Sequence, residues 1–306
     1  MTHDAVTPVR TNVPLPLVVP VSTADGARFE LLCCLPPGAC TRLLYWMPAM
    51  GMPARHYLPL AQALAARGVA TVLHEWRGIG SSDRRANRRC NWGYRELLEY
   101  DLTAGMQAVR EHWPQARCMI GGHSMGGQLG ALFASLQPKA FTGLVLVASG
   151  SPYWRAFRSG RLISLAFRVA PLLARWVGYL PGRRLGFAGN EARGVIADWA
   201  RSGLSGRYAA QAVVVDMESR LGALSIPALA LRLRDDWMVP PASLDWLLGK
   251  LGSAAQTVQV ITPAELAGPP ADHFAWMKAP AAVAAHIAEW SAGKNAAFAA
   301  HTNPCA

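Results

Sequence analysis

Short apolar runs alternate with amphipathic segments along most of this chain. Leu17 to Val21 and Arg28 to Leu35 flank a turn at Asp25 and Gly26, which predicts a hairpin at a sheet edge. Further apolar runs predict buried strands at 42–47, 69–74, 116–120, 141–148, 227–233 and 257–261. Apolar residues at helical spacing predict helices between them, at 54–67, 94–112, 128–136, 243–251 and 280–290. Strands that alternate with helices indicate an α/β fold with a mostly parallel central sheet flanked by helices.

The pattern changes after residue 150. Residues 151–221 contain no convincing strand but several helical segments rich in arginine and aromatic residues. We therefore predict a helical cap at 151–221, inserted after the sixth strand into a core domain formed by 1–150 and 222–306. Arg161, Arg168 and Arg175 recur every seven residues and share one helical face beside apolar residues, and Pro171 should kink or break this helix. The segment is either a helix packed over the site with solvated arginines, or a basic, apolar lid that meets an acidic lipid headgroup or another interface.

Composition narrows the class of protein. With 306 residues, 52% of them hydrophobic and 16% charged, the chain fits one large globular domain with an insertion. Residues 1–20 lack the features of a signal peptide and no apolar run reaches about 18 residues, so we expect a cytoplasmic protein without a transmembrane helix. The six cysteines form no C-x-x-C pair, which predicts reduced thiols and no structural metal.

A net charge of +11 raises nucleic acid or an anionic membrane as partners, but no nucleic-acid-binding motif is present and no motif implies a cofactor. Composition leaves the oligomeric state open.

The candidate chemistry centres on the stretch from Met119 to Gln128, which contains G-x-S-x-G as Gly122, Ser124 and Gly126. In such an elbow the serine sits on a sharp strand-to-helix turn in a strained backbone conformation, and larger side chains two residues away would collide. A strand is predicted before it and a helix after it. Ser124 is therefore the candidate nucleophile.

Two further residue types needed for serine chemistry follow the last two predicted strands. Asp235 and Asp236 come after 227–233, and His273 comes after 257–261. An imidazole must take the proton of the serine hydroxyl, and a carboxylate must fix the imidazole tautomer, so Ser124, Asp236 and His273 form a candidate triad. The backbone N–H groups of Met125 and of Met52, in the loop after 42–47, are the candidate donors to an oxyanion.

Several motifs together resemble the α/β-hydrolase superfamily, in particular a bacterial branch near serine-aminopeptidase and monoacylglycerol-lipase-like enzymes. The motifs are PAMGMPARHY, EWRGIGSSD, GGHSMGGQ, GYLPGRRLG, DDWMVP and DHFAWM. The resemblance implies Ser124 as nucleophile, Asp236 as acid and His273 as base. Asp235 stays open as an alternative to Asp236, which the D-x-x-V-P run favours. The sequence departs from the family pattern at two positions. The acid that usually precedes Arg77 and Gly78 in the motif appears here as Glu75, and the glycine that usually precedes the catalytic histidine is Asp272.

The leading functional expectation is a serine hydrolase that cleaves a small-molecule carboxylic ester, with a hydrophobic acyl chain suggested by the aromatic cap. An acyltransferase and an amidase or aminopeptidase would use the same triad, and both stay open as alternatives. A hydrolase fold that serves as a non-catalytic binding protein is an alternative from another class. The presence of all three triad residues weighs against it.

Overall fold

The structure is a computed structural model that describes residues 15–252 and 255–301. The expectation about a leader segment rests largely on residues 1–14, which lie outside the described residues. The same holds for residues 302–306 of the predicted core domain.

Ten strands are present in the described chain, and eight of them form one central sheet. In chain order the strands are β1 (Leu17–Ser22), β2 (Arg28–Cys34), β3 (Arg42–Met47), β4 (Ala70–Leu73), β5 (Arg117–His123), β6 (Leu144–Val147), β7 (Leu180–Pro181), β8 (Asn190–Glu191), β9 (Ala228–Leu233) and β10 (Gln256–Ile261). The sheet order is β1-β2-β4-β3-β5-β6-β9-β10. β1 and β2 form the predicted antiparallel hairpin and β2 pairs antiparallel with β4, whereas all other neighbours are parallel. The predicted mostly parallel sheet is confirmed.

Helices cover both faces of this sheet. They are α1 (Leu58–Ala65), α2 (Thr103–His112), α3 (Met125–Leu136), α4 (Gly160–Val177), α5 (Gly182–Leu185), α6 (Arg193–Ser205), α7 (Met217–Gly222), α8 (Pro241–Leu248) and α9 (Ala281–His301). Successive residues of β3 enter different hydrophobic clusters, with Leu43 and Tyr45 in one and Leu44 and Trp46 in the other. Because successive side chains of a strand point to opposite faces, one core lies on each side of the sheet. Burial on both faces explains why the central strands appear in the sequence as continuous apolar runs.

The segment between β6 and β9 is mainly helical, as expected, but it also contains a strand pair that the sequence did not reveal. β7 and β8 pair antiparallel, with Leu180 opposite Glu191. Strands of two residues carry too little periodicity to be recognised. α4 packs on α6, where the Phe167 ring lies 4.6 Å from the Trp199 ring. The division into core and cap stays a prediction.

Pro171 lies inside α4 and does not end it, so of the two predicted effects, a kink or a break, the break does not occur. A proline removes one helical N–H and crowds the preceding turn, a local cost that tertiary packing can offset. Here Phe167 and Ala174, one turn to either side, are both buried. The helix continues to Gly178, whose φ of 107° provides the left-handed cap that stops it. No helix among the described residues is long and apolar enough to cross a bilayer.

Candidate active site

Ser124 occupies the sharp turn between β5 and α3. Its φ of 54° and ψ of −123° are strained for a residue with a side chain. A Cβ at Gly126 would lie 2.2 Å from the backbone oxygen of Met47, and a Cβ at Gly122 would lie 2.5 Å from the carbonyl carbon of Gly126. Both glycines are therefore required by the close approach of neighbouring backbone, as expected for an elbow.

His273 and Asp236 form a buried pair in the loops that follow β10 and β9. The distance from His273 Nδ1 to Asp236 Oδ2 is 2.8 Å, and each residue is 4% exposed. An ionised carboxylate only accepts hydrogen bonds, so Nδ1 carries the proton and Nε2 keeps a free lone pair. The other carboxylate oxygen accepts the N–H groups of Met238 at 2.8 Å and Val239 at 3.1 Å. Asp236 is thereby fixed in position before any substrate binds.

The neighbouring acids have other partners. Asp235 accepts the N–H of Ala271 at 3.2 Å and pairs with Arg234. Asp272 accepts the N–H groups of Phe274 and Ala275 at 2.9 and 2.7 Å. The structure therefore brings Asp236 to His273 and directs Asp235 away from it. Asp272 stabilises the loop that carries the histidine.

Ser124 approaches this pair through its neighbour in the chain. The rings of His123 and His273 lie 4.7 Å apart. Although Ser124 and His273 both belong to the described chain, no hydrogen bond joins the Ser124 hydroxyl to the imidazole. Hydrogen bonds between catalytic groups are often long in the absence of substrate. The three predicted triad residues thus lie at one edge of the sheet, with the Asp236 and His273 contact formed.

The two predicted oxyanion donors have different outcomes. Met125 is the first residue of α3, so its N–H is one of the helix N–H groups without a partner in the helix. The N–H of Met52 instead donates to the Ala49 carbonyl at 3.1 Å, closing a turn that includes Gly51 at a φ of 75°. The prediction for Met52 is therefore wrong. In the described chain no group accepts a hydrogen bond from the N–H of Met50 or of Gly51, so these two residues are the candidate donors from this loop.

A residue that the sequence analysis did not select connects this loop to the elbow. The Tyr57 hydroxyl accepts the N–H of Ala49 at 2.9 Å and lies 2.8 Å from His123 Nδ1. Since the hydroxyl proton remains free, it donates to Nδ1. Burial lowers the pKa of His123 well below its ordinary value, which keeps the ring neutral and able to accept this bond. Nothing in the spacing of these residues predicts the contact.

A narrow cavity of about 10 Å³, room for about one water molecule, lies beside the elbow. Its lining comes from both the sheet domain and the segment between β6 and β9 and includes two charged residues: Gly51, Trp76, Arg77, Ile79, Trp92, Leu97, Met125, Glu191 and Val195. Burial raises the pKa of Glu191 to about 7, although the Gly189 N–H donates to this carboxyl at 3.1 Å. Arg77 is held by ion pairs to Asp25 and Asp101. Among the described residues, no three His, Cys, Asp or Glu side chains form a group that could hold a metal ion.

A family model described as serine aminopeptidase, S33, matches residues 41–264, which is well over half of the chain. The chain belongs to this family of α/β hydrolases. The matched range runs from the start of β3 to just beyond β10. It contains Ser124 and Asp236 and ends before His273.

Individual relatives are more distant. The monoglyceride lipase of Rattus norvegicus is 27% identical over 147 residues, which cover 47% of this chain and 48% of that protein. The chain thus matches about half the length of this relative. A bacterial membrane phospholipase A described as a virulence factor has a TM-score of 0.59 at 16% identity, covering 92% of this chain and 87% of that one. The esterase domain of a Rhodothermus marinus protein has a TM-score of 0.59 at 14% identity, covering 90% and 97%. At such low identity the two structures support the fold.

Proposed function

We propose that this chain is a serine hydrolase that cleaves a carboxylic ester through an acyl-enzyme formed on Ser124. The observation that carries the proposal is the position of Ser124 in a strained elbow beside the buried pair of His273 and Asp236. A serine hydroxyl is a poor nucleophile near neutral pH, so this arrangement supplies the base that it needs.

In the first step, Ser124 Oγ attacks the ester carbonyl carbon while His273 Nε2 accepts the hydroxyl proton. The Asp236 carboxylate stabilises the resulting imidazolium through the bond to Nδ1. We assign to the oxyanion the N–H group of Met125, the first residue of α3, and that of Met50 or Gly51, in the loop after β3.

In the second step, the carbonyl re-forms, the bond to the alcohol oxygen breaks, and His273 returns its proton to that oxygen. Water then attacks the acyl-enzyme with His273 again acting as base, which releases the acid and regenerates Ser124. Besides the ester, water is the only reactant that the two steps consume.

A hydrophobic acyl group is favoured by the walls of the pocket beside Met125. The side chains of Trp76, Ile79, Trp92 and Leu97 are apolar and almost fully buried there. The similarity to a protein named a monoglyceride lipase and the fold shared with an esterase domain support an ester rather than another acyl compound.

The test is hydrolysis of p-nitrophenyl esters from acetate to palmitate by the native protein, Ser124→Ala and Ser225→Ala. Ser225 is exposed, lies just before β9 and serves as the matched control. We expect Ser124→Ala to lose turnover on the order of 10⁴-fold or more, with Ser225→Ala unchanged. A fluorophosphonate should label the native protein and the control but not Ser124→Ala.

Two outcomes contradict the proposal. Equal turnover by the native protein and Ser124→Ala would place the chemistry elsewhere. Absence of both turnover and labelling in the native protein would favour a non-catalytic role. Labelling of Ser124 without ester turnover would redirect the proposal to amides or to transfer onto another acceptor.

A further inference from the structure

The outward face of α4 carries a continuous apolar stripe. Its five residues follow one another at spacings of three and four, which places them on one side of a helix. All are large and half or more exposed: Leu162 at 70%, Leu165 at 57%, Val169 at 50%, Leu172 at 68% and Trp176 at 76%. Single exposed apolar residues are ordinary, but a contiguous stripe on one helix marks an interaction surface.

The fold itself does not use this stripe. α4 attaches to the rest of the protein through its opposite face, where Ser164, Phe167 and Ala174 are buried. The Phe167 ring packs against Trp199 and lies over Gly203 of α6. The outward stripe therefore contributes exposed surface without a packing role within the described chain.

Arginines run along the edge of the stripe. Arg161, Arg168 and Arg175 each precede one of its residues, are exposed, and form no ion pair with any described acid. At the end of the helix, Arg88 donates to the Trp176 carbonyl at 2.5 Å and adds a further positive charge. The sequence has no acidic residue between 151 and 190, and the next acid, Glu191, is buried. The face is thus apolar along its centre and uniformly positive along its edge.

We propose that this face of α4 docks on an anionic lipid surface, with the stripe among the acyl chains and the arginines at the headgroups. An interfacial helix of this kind combines an apolar face with flanking basic residues. A second copy of the chain fits less well. Pairing two stripes would bring arginine rows together with no acid on either side to neutralise them.

The segment that follows α4 also reaches the loop beside the candidate site. From α4 the chain continues through exposed Leu185 and Phe187 to Ala188 and Gly189. Gly189 packs directly against Gly51, in the loop beside the elbow, because a Cβ at Gly51 would lie 2.0 Å from the Gly189 nitrogen. The segment that follows α4 is therefore in direct contact with the loop beside the elbow.

The experiment is co-sedimentation with vesicles of phosphatidylcholine alone and of phosphatidylcholine with phosphatidylglycerol, at low and high salt. The charge variant combines Arg161→Gln, Arg168→Gln and Arg175→Gln. Its control removes the same charge from exposed arginines outside the segment between β6 and β9: Arg28→Gln, Arg67→Gln and Arg110→Gln. A third variant, Leu165→Ser with Leu172→Ser, removes apolar surface, and Val258→Ser on the exposed edge strand is its control.

We expect the native protein to sediment with the anionic vesicles and to be released by salt. An arginine at an anionic surface contributes roughly fivefold in partitioning, so the charge variant should bind on the order of a hundredfold more weakly. Both controls should bind like the native protein. All variants should hydrolyse p-nitrophenyl acetate at the native rate if they are folded and the chain is an esterase. Binding is measured without turnover, so it stands or falls separately from the proposed hydrolysis.

Equal weakening by the two arginine triples would show that net charge, and not this face, determines binding, and would overturn the proposal. Absence of native binding to either vesicle would also overturn it. So would concentration-dependent dimerisation that the leucine variant abolishes while vesicle binding is unchanged, since the stripe would then serve a second copy.

Discussion

Replacing Glu191 by glutamine should change how the stability of the fold depends on pH. Glu191 ends β8 and is 7% exposed, in a pocket that it shares with Trp76, Trp92 and Met125. The one hydrogen bond recorded for its carboxyl in the described chain comes from the Gly189 N–H. Glutamine keeps an oxygen that can accept this bond and has nearly the same shape. The variant therefore removes the ionisable carboxyl while leaving the packing in place.

The magnitude follows from the pKa. Burial raises the pKa of Glu191 from 4.5 to about 7 in the folded protein. Below pH 4.5 the carboxyl is protonated in both the folded and the unfolded chain and contributes no difference. As the pH rises from 4.5 to 7, the unfolded chain loses the proton first, so the native protein loses stability. Each pKa unit corresponds to about 1.4 kcal/mol, which gives a loss of about 2.5 kcal/mol between pH 5 and pH 8.

The assay is urea unfolding of the native protein and Glu191→Gln at pH 5, 6, 7 and 8, followed by tryptophan fluorescence. The free energy of unfolding of the variant, minus that of the native protein, should increase by about 2.5 kcal/mol over this range. Glu265→Gln is a control whose difference from the native protein should stay nearly constant between pH 5 and pH 8. Hydrogen bonds from Thr262 hold the pKa of Glu265 below its ordinary value. The ionised Glu265 therefore stabilises the folded protein at pH values above that ordinary pKa. If the difference in the free energy of unfolding between Glu191→Gln and the native protein stays constant with pH, the reasoning is refuted. Glu191 would then not be a buried carboxyl with too few hydrogen-bond partners.

Two further substitutions test the elbow and the loop beside it. Gly126→Ala should lower the free energy of unfolding by about 1–3 kcal/mol or more, since its Cβ would meet the rigid backbone oxygen of Met47. Gly222→Ala in α7, where no atom lies within 4 Å, should be neutral or stabilising by up to about 1 kcal/mol, and a similar loss in both would contradict the steric argument. Tyr57→Phe should cost about 1–3 kcal/mol in urea unfolding and lower kcat, because it removes the hydroxyl that joins the loop to His123. Native stability and kcat in Tyr57→Phe would show that this hydrogen bond contributes nothing.

The parts of the fold that the sequence predicts are those encoded by local patterns. The strands of the central sheet are buried on both faces, so each appears as an apolar run between polar turns. The elbow is recognisable because Gly122 and Gly126 are required by contacts within a few residues of Ser124 or with the adjacent strand. His273 and Asp236 could be paired in advance because the carboxyl ends of parallel strands meet at one edge.

The errors concern features that local patterns do not encode. Met52 was expected to donate to an oxyanion, but a turn bond to Ala49 uses its N–H, and only three-dimensional geometry reveals which N–H remains free. Pro171 has the sequence signature of a helix break, yet packing on the buried side of α4 keeps the helix continuous. Glu191 appears as one acid among many in the sequence. Its burial results from the pairing of β7 with β8 and from the approach of this segment to the elbow.

The conformation of Ser124 illustrates how the surrounding fold, and not the local chain, maintains the candidate site. A positive φ at a serine costs of the order of 1–3 kcal/mol, and a free peptide would relax it. Here the Ser149 hydroxyl donates to the Ser124 carbonyl at 2.7 Å, and the helix that follows is buried along almost its whole length. The strain is therefore offset by contacts with β6 and its loop. Because those contacts exist before substrate binds, the nucleophile is held in place by the same packing that stabilises the sheet, and weakening that packing should affect activity as well as stability.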